Sequence, residues 1–127
     1  MTSEQIIARH IVNAKYSDLA PKDIEAVKKQ LLALYGATIA GWNSDGCKAV
    51  ADFAKEVGGK AEATLLIWNG KVPASQAAFV NSVIGRALDI CDHIAPGVHI
   101  GSACIPATLA AAELVGGCTG EEFILAV

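Results

Sequence analysis

Apolar residues recur at three- and four-residue steps through most of the chain, the spacing of one face of a helix. In the first stretch Ile7, Ile11 and Ala14 hold that spacing, Ile6 and His10 lie beside it, and Ser3 stands as N-cap with Glu4 in the first turn. This stretch ends near Tyr16, and Ser17-Asp18-Leu19-Ala20 makes a turn. Pro21 suits a first helical position, and Ile24, Val27, Leu31, Leu34, Tyr35 and Thr38 continue a second helix. Lys22, Asp23, Glu25, Lys28 and Lys29 take much of its other face early on, whereas LLALYGATIAG is apolar nearly all round. The second helix is therefore expected to start at a surface and run into a core. Val50, Phe53, Ala54 and Val57 mark a third helix, closed by Gly58-Gly59.

The period then changes. Ala63 to Trp68 is a short, partly β-branched run, and Asn69-Gly70 behind it is a strong hairpin signal, so a minimal β-hairpin is expected near residues 63–73. Ser75 is placed as the cap of a fourth helix that carries Ala78, Phe79, Ser82, Val83, Arg86 and Ala87 to about Asp89. Residues 90–101 read as an irregular loop, and Ser102 to Val115 as a fifth helix with Pro106 in its first turn or so, stopped by Gly116-Gly117. Thr119, followed by Glu122, has the form of a capping box and opens a sixth helix. The fold class is accordingly mainly α, a bundle of about six helices with one short hairpin. The sixth helix runs only from Glu121 to Val127 and its last five residues are apolar. A helix so short is marginal without packing. The expectation is that residues 1–127 are the N-terminal portion of a larger helical domain.

Composition sharpens this picture. Of 127 residues 53% are apolar and 18% charged, which excludes a disordered chain. The net charge of −3 and the lack of a basic block argue against nucleic acid as a partner. Ala occurs 23 times, so helices can approach closely, and the apolar share exceeds what a lone domain of this size buries. The uncharged stretch from Ile94 to Ala112 is broken by Pro96, Gly97, His99, Gly101 and Pro106, which argues against a bilayer span. MTSEQIIARH lacks the form of a signal peptide, and Cys47, Cys91, Cys104 and Cys118 show no C-x-x-C pair. A soluble cytoplasmic protein with reduced thiols and no membrane partner is expected.

The densest polar cluster lies between the fourth and fifth helices, in RALDICDHIAPGVHIGSACIP. Asp89, Asp92, His93 and His99 put two carboxylates and two imidazoles on an apolar background. A carboxylate beside an imidazole can fix its tautomer and raise its basicity, the basis of general acid–base chemistry. The fifth helix begins directly after this loop, and a helix N-terminus favours an anionic ligand. Lys71 and Arg86 are the cations expected nearest the cluster. The same residues also admit plainer readings: a helix–loop–helix corner with capping aspartates, or a zinc site from Cys91, His93, His99 and Cys104, whose spacing matches no common zinc framework.

At this cluster the chain resembles the MmgE/PrpD family of 2-methylcitrate dehydratases, cis-aconitate decarboxylases and related lyases or epimerases. The resemblance is carried by YSDLAPKDIEAVKKQLLALYGATIAG, GGKAEATLLIWNGKVPASQAAFVNSVIGRALDICDH and HIGSACIPATLAAAELVGGCTGEEFILAV. It implies a large helical domain, a separate α+β lid, a homodimer, small di- and tricarboxylate substrates, and no metal or other cofactor. The family loop reads like L-D-F-D-D-T-H with H-P-S a little later. Asp89 and Asp92 match its first and last Asp, and His99 the histidine of H-P-S. Cys91 replaces the middle Asp, His93 the Thr, and Ile100-Gly101 the Pro-Ser. Of the residues so matched, His99 is expected to carry the acid–base work, with Asp89 and Asp92 orienting it and hydrogen-bonding substrate; His93, Ser102 and Arg86, which the resemblance does not assign, are expected from their place in the cluster as substrate contacts. A lyase that removes a proton α to a carboxylate is the leading expectation, with a shortened chain inactive alone. A non-catalytic helical association module or gene remnant is the alternative, and a zinc-binding protein the third.

Overall fold

Helix ends in this chain are set by local chemistry, and the computed structural model, which describes residues 1–127, places most of them close to the sequence expectation. The α-helices are α1 (Ser3–Asn13), α2 (Pro21–Gly41), α3 (Cys47–Val57), α4 (Ala74–Arg86), α5 (Gly101–Leu114) and α6 (Gly120–Ala126). A 3-10 turn at Tyr16–Asp18 links α1 to α2. Strands β1 (Ala63–Thr64) and β2 (Lys71–Val72) pair antiparallel, Ala63 opposite Val72 and Thr64 opposite Lys71. The capping box at Thr119 and Glu122 forms as expected.

Three boundaries differ. The N-cap of α1 is Thr2, which exchanges hydrogen bonds with Gln5, so Ser3 is already helical. Helix α4 starts at Ala74 directly after Pro73, and Ser75 lies inside it without capping. It stops at Arg86, three residues early, because Asp89 takes a left-handed φ of 55°, a conformation aspartate tolerates better than most side chains.

The core lies between α3, α4, α5 and the hairpin. Ala51, Ala54, Ala63, Leu65, Val72, Ala77, Val80, Ile84 and Ala110 make one buried cluster, rich in alanine as the composition requires. Helices α4 and α5 pack most extensively, and α2 crosses α4. At that crossing a Cβ on Gly85 would lie 2.6 Å from Leu34 Cδ1, so the helices meet over a glycine.

The hairpin is bolted to the helices by two polar residues. Asn81 on α4, buried, accepts the Leu66 N–H at 3.0 Å and donates to the Thr64 carbonyl at 2.9 Å. Glu113 on α5 accepts the Thr64 N–H at 2.9 Å and the Thr64 hydroxyl at 2.7 Å, and pairs with Lys71 at 2.8 Å. Burial pushes the Glu113 carboxyl up, but the Lys71 ammonium and the two Thr64 donors outweigh it and hold it below 4.5. A carboxyl more acidic in the folded chain contributes stability that is complete above 4.5 and is lost as the pH falls through its lowered value. Thermal melting should therefore drop as the pH is taken below 4.5, and Glu113→Gln should flatten that slope; an unchanged slope would remove Glu113 from the account.

The surface is the unusual part. A folded monomer of 13.1 kDa exposes about 6,400 Å² by the usual size scaling, whereas this chain exposes 7945 Å². The excess, about 1,500 Å², is roughly twice the ~800 Å² that each partner buries in a standard protein–protein interface. No residue of α1 is buried, and Ile7, Ile11 and Val12 on it are 59%, 67% and 83% exposed. Helix α2 runs into the core on one side only. Leu34, Ala37, Thr38 and Gly41 are buried, but Leu32 and Ile39 on the same apolar run stay exposed, which corrects the expectation of a fully enclosed end. No helix is long and apolar enough to cross a membrane.

Candidate active site

The loop of residues 87–100 joins α4 to α5 and carries the polar cluster. Asp92 organises it. Its carboxylate accepts the Gly101 N–H at 3.0 and 3.1 Å and the Ile100 N–H at 3.2 Å. These are two of the donors that an α-helix leaves unpaired at its start. The anion expected at the N-terminus of α5 is therefore the protein's own Asp92, reaching across the loop. Gly101 makes this possible, since a Cβ there would lie 2.6 Å from Asp92 Oδ1. Gly101→Ala should displace the carboxylate and lower stability by about 1–2 kcal/mol, the worth of a lost cap. Urea unfolding measures this, and an unaltered midpoint would contradict the capping role.

His99 is half-buried beneath this cap. Its Nδ1 lies 2.7 Å from the backbone carbonyl oxygen of Asp92 and 3.5 Å from Cys91 Sγ. A carbonyl oxygen only accepts, so Nδ1 carries the proton and donates it. In the neutral ring Nε2 then holds the lone pair and is the basic nitrogen. The sequence assigns the orienting of His99 to an Asp carboxylate. The structure places that contact on the carbonyl of Asp92, while its carboxylate is committed to α5.

The other candidates gather around these two. Asp89 is exposed and pairs with Arg86, Nη2 to Oδ1, at 3.1 Å. Arg86 Nη1 also donates to Cys91 Sγ at 2.7 Å. A carboxylate oxygen of Asp89, Cys91 Sγ and a ring nitrogen of His99 all lie within 4.8 Å of one another. His93 is exposed, its ring tilted 56° to that of His99 with centroids 5.3 Å apart. Ser102 is buried in the wall of a cleft of about 220 Å³ that also touches Cys91, Asp92, Gly101 and, from α2, Lys29, Gln30, Ala33 and Leu34.

Residues 5–127 match the MmgE/PrpD N-terminal domain. The chain belongs to the MmgE/PrpD family. Comparison with curated proteins gives no match that narrows this further. For an MmgE/PrpD chain, the match also places the polar loop, the capping aspartate and His99 within the family's N-terminal domain.

Two sequence expectations about neighbouring groups change. Lys71 is not near the cluster; it is held by Glu113 at the hairpin. Cys104 does not join Cys91 and the histidines, because its thiol faces the Val127 carbonyl at 3.5 Å. Conversely, Lys29 falls on the polar face of α2 by periodicity, yet it borders the cleft. Only the packing of α2 against the loop reveals this, and no local signal in the sequence does.

Proposed function

We propose that the chain is the N-terminal part of a cofactor-independent lyase acting on small di- or tricarboxylates, in the manner of a 2-methylcitrate dehydratase. The observation that carries the reading is His99. Its Nδ1–H is tied to the Asp92 carbonyl, which leaves Nε2 as a base with fixed direction. In the reaction Nε2 takes the proton α to a substrate carboxylate. The electron pair forms the double bond as hydroxide leaves from the neighbouring carbon, and the proton now on Nε2 passes to that hydroxide, directly or through solvent, so that water departs and the neutral imidazole is restored. Asp92 positions His99 and the start of α5. Asp89 holds Arg86, and substrate contact is assigned to Arg86, His93 and Ser102.

Several carboxylates on one substrate call for more cations than Arg86 and Lys29 supply. The remaining ones are assigned to the polypeptide that covers the exposed faces of α1 and α2, completes the pocket and excludes water. The working form is a homodimer in the cytoplasm. Residues 1–127 alone are therefore expected to give no turnover. Incubation with 2-methylcitrate or cis-aconitate, followed by enoate absorbance, tests this; turnover at enzymatic rates would overturn the view that the site is half-built. The surplus exposed surface also favours a second reading, a non-catalytic association module. In that case the longer protein, too, would leave both substrates unchanged.

A further inference from the structure

The cluster that frames His99 has a second chemical capacity. We infer that Asp89, Cys91 and His99 form a binding site for a borderline-soft divalent cation, zinc foremost, and that occupation switches off the base. A thiol, an imidazole and a carboxylate are the ligand types zinc takes. Their donor atoms already converge within 4.8 Å of one another. Cys91 Sγ and His99 Nδ1 are 3.5 Å apart. With bonds of about 2.3 Å to sulfur and about 2.0–2.1 Å to nitrogen, a tetrahedral ion sets its S···N edge at about 3.5 Å. The S···N separation thus already has the required length, while the Asp92 carbonyl, 2.7 Å from Nδ1, has to move aside for an ion to enter. The fourth position stays open to water or to a substrate carboxylate.

Arg86 supports the inference from another side. Its guanidinium contacts both Cys91 Sγ, at 2.7 Å, and Asp89 Oδ1, at 3.1 Å. Two of the three ligands are thus already gathered around one positive charge. The side chain is 40% exposed, so it can swing into solvent and yield the place to a metal ion. Arg86 is then an internal competitor, whose removal strengthens metal binding. The sequence offers Cys91, His93, His99 and Cys104 as the zinc set; the geometry instead selects Asp89 and leaves Cys104 on the chain end.

The proton balance gives the consequence. On binding, the Cys91 thiol releases its proton to solvent and its sulfur bonds the metal. His99 Nδ1 gives its lone pair to the metal, so the ring proton resides on Nε2. The Nδ1–H bond to the Asp92 carbonyl is lost, and Nε2 becomes a donor with no lone pair. The consequence rests on the reading of His99 as the base; the metal site itself does not.

Cobalt titration of the purified chain tests it. Co²⁺ should produce a near-ultraviolet thiolate-to-metal band and intense visible tetrahedral bands, saturating at one equivalent, with a dissociation constant of about 10 μM or tighter. Zinc should abolish both. Cys91→Ser should remove the ultraviolet band, while Cys118→Ser should keep it. Arg86→Gln should tighten binding about two- to fivefold, the worth of a partly exposed ion pair. Far-ultraviolet dichroism checks that each variant folds. No charge-transfer band at excess cobalt, or a band that survives Cys91→Ser in folded protein, would overturn the site. Either result leaves the metal-free tautomer of His99, and so the base, to be judged separately.

Discussion

Replacing His99 with Ala in a longer, active form of the protein should lower kcat/KM by ~10²–10⁴-fold if His99 is the proposed base, the usual worth of a positioned acid–base group. The loss should fall on kcat, because Nε2 acts when the α-proton moves and contributes little to holding substrate in the ground state. His93→Ala should behave differently. That ring is exposed and 5.3 Å from His99, so its loss should appear mainly in KM. Steady-state kinetics of both variants separates the roles. A loss of under about tenfold for His99→Ala would remove it as the base.

The second large effect concerns the fold. Asn81→Leu should destabilise the chain by about 2–4 kcal/mol. Asn81 is 3% exposed, and its amide satisfies both the Leu66 N–H and the Thr64 carbonyl. A leucine leaves two part-buried backbone groups without partners, each costing about 1–3 kcal/mol, and regains part of this through its own burial. Denaturant unfolding measures the change. A loss under about 0.5 kcal/mol, the level of an ordinary surface substitution, would mean that Asn81 does not hold the hairpin.

How much of this could be read from the sequence follows from the range of each interaction. Helical periodicity, the Thr119–Glu122 box and the Asn69-Gly70 turn act over two to four residues, and they reproduce the six helices and the hairpin. Errors begin where a partner is remote. The carboxylate of Asp92 reaches Gly101 nine residues on, and Asn81 and Glu113 serve strands 17 and 49 residues away. Spacing cannot separate a capping aspartate from a catalytic one, so Asp92 looks like chemistry and acts first as structure. The apolar run in α2 has a different cause. Its composition marks burial, but only one face finds a partner among these 127 residues. The polar loop is legible because charged groups are scarce around it. What each group touches depends on how α2, α4 and α5 meet.

The proposed function rests on two observations, the excess surface and the His99 geometry. Of the two, the tautomer of His99 is the more direct test. Long-range ¹H–¹⁵N spectra of the metal-free chain, recorded where the imidazole is neutral, report which ring nitrogen bears the proton. Nδ1–H with an unprotonated Nε2 is expected, converting to the other tautomer or to exchange between the two in an Asp92→Ala variant whose loop no longer holds the carbonyl in place. An Nε2–H tautomer in the parent chain would mean that the nitrogen assigned to the α-proton has no lone pair to take it.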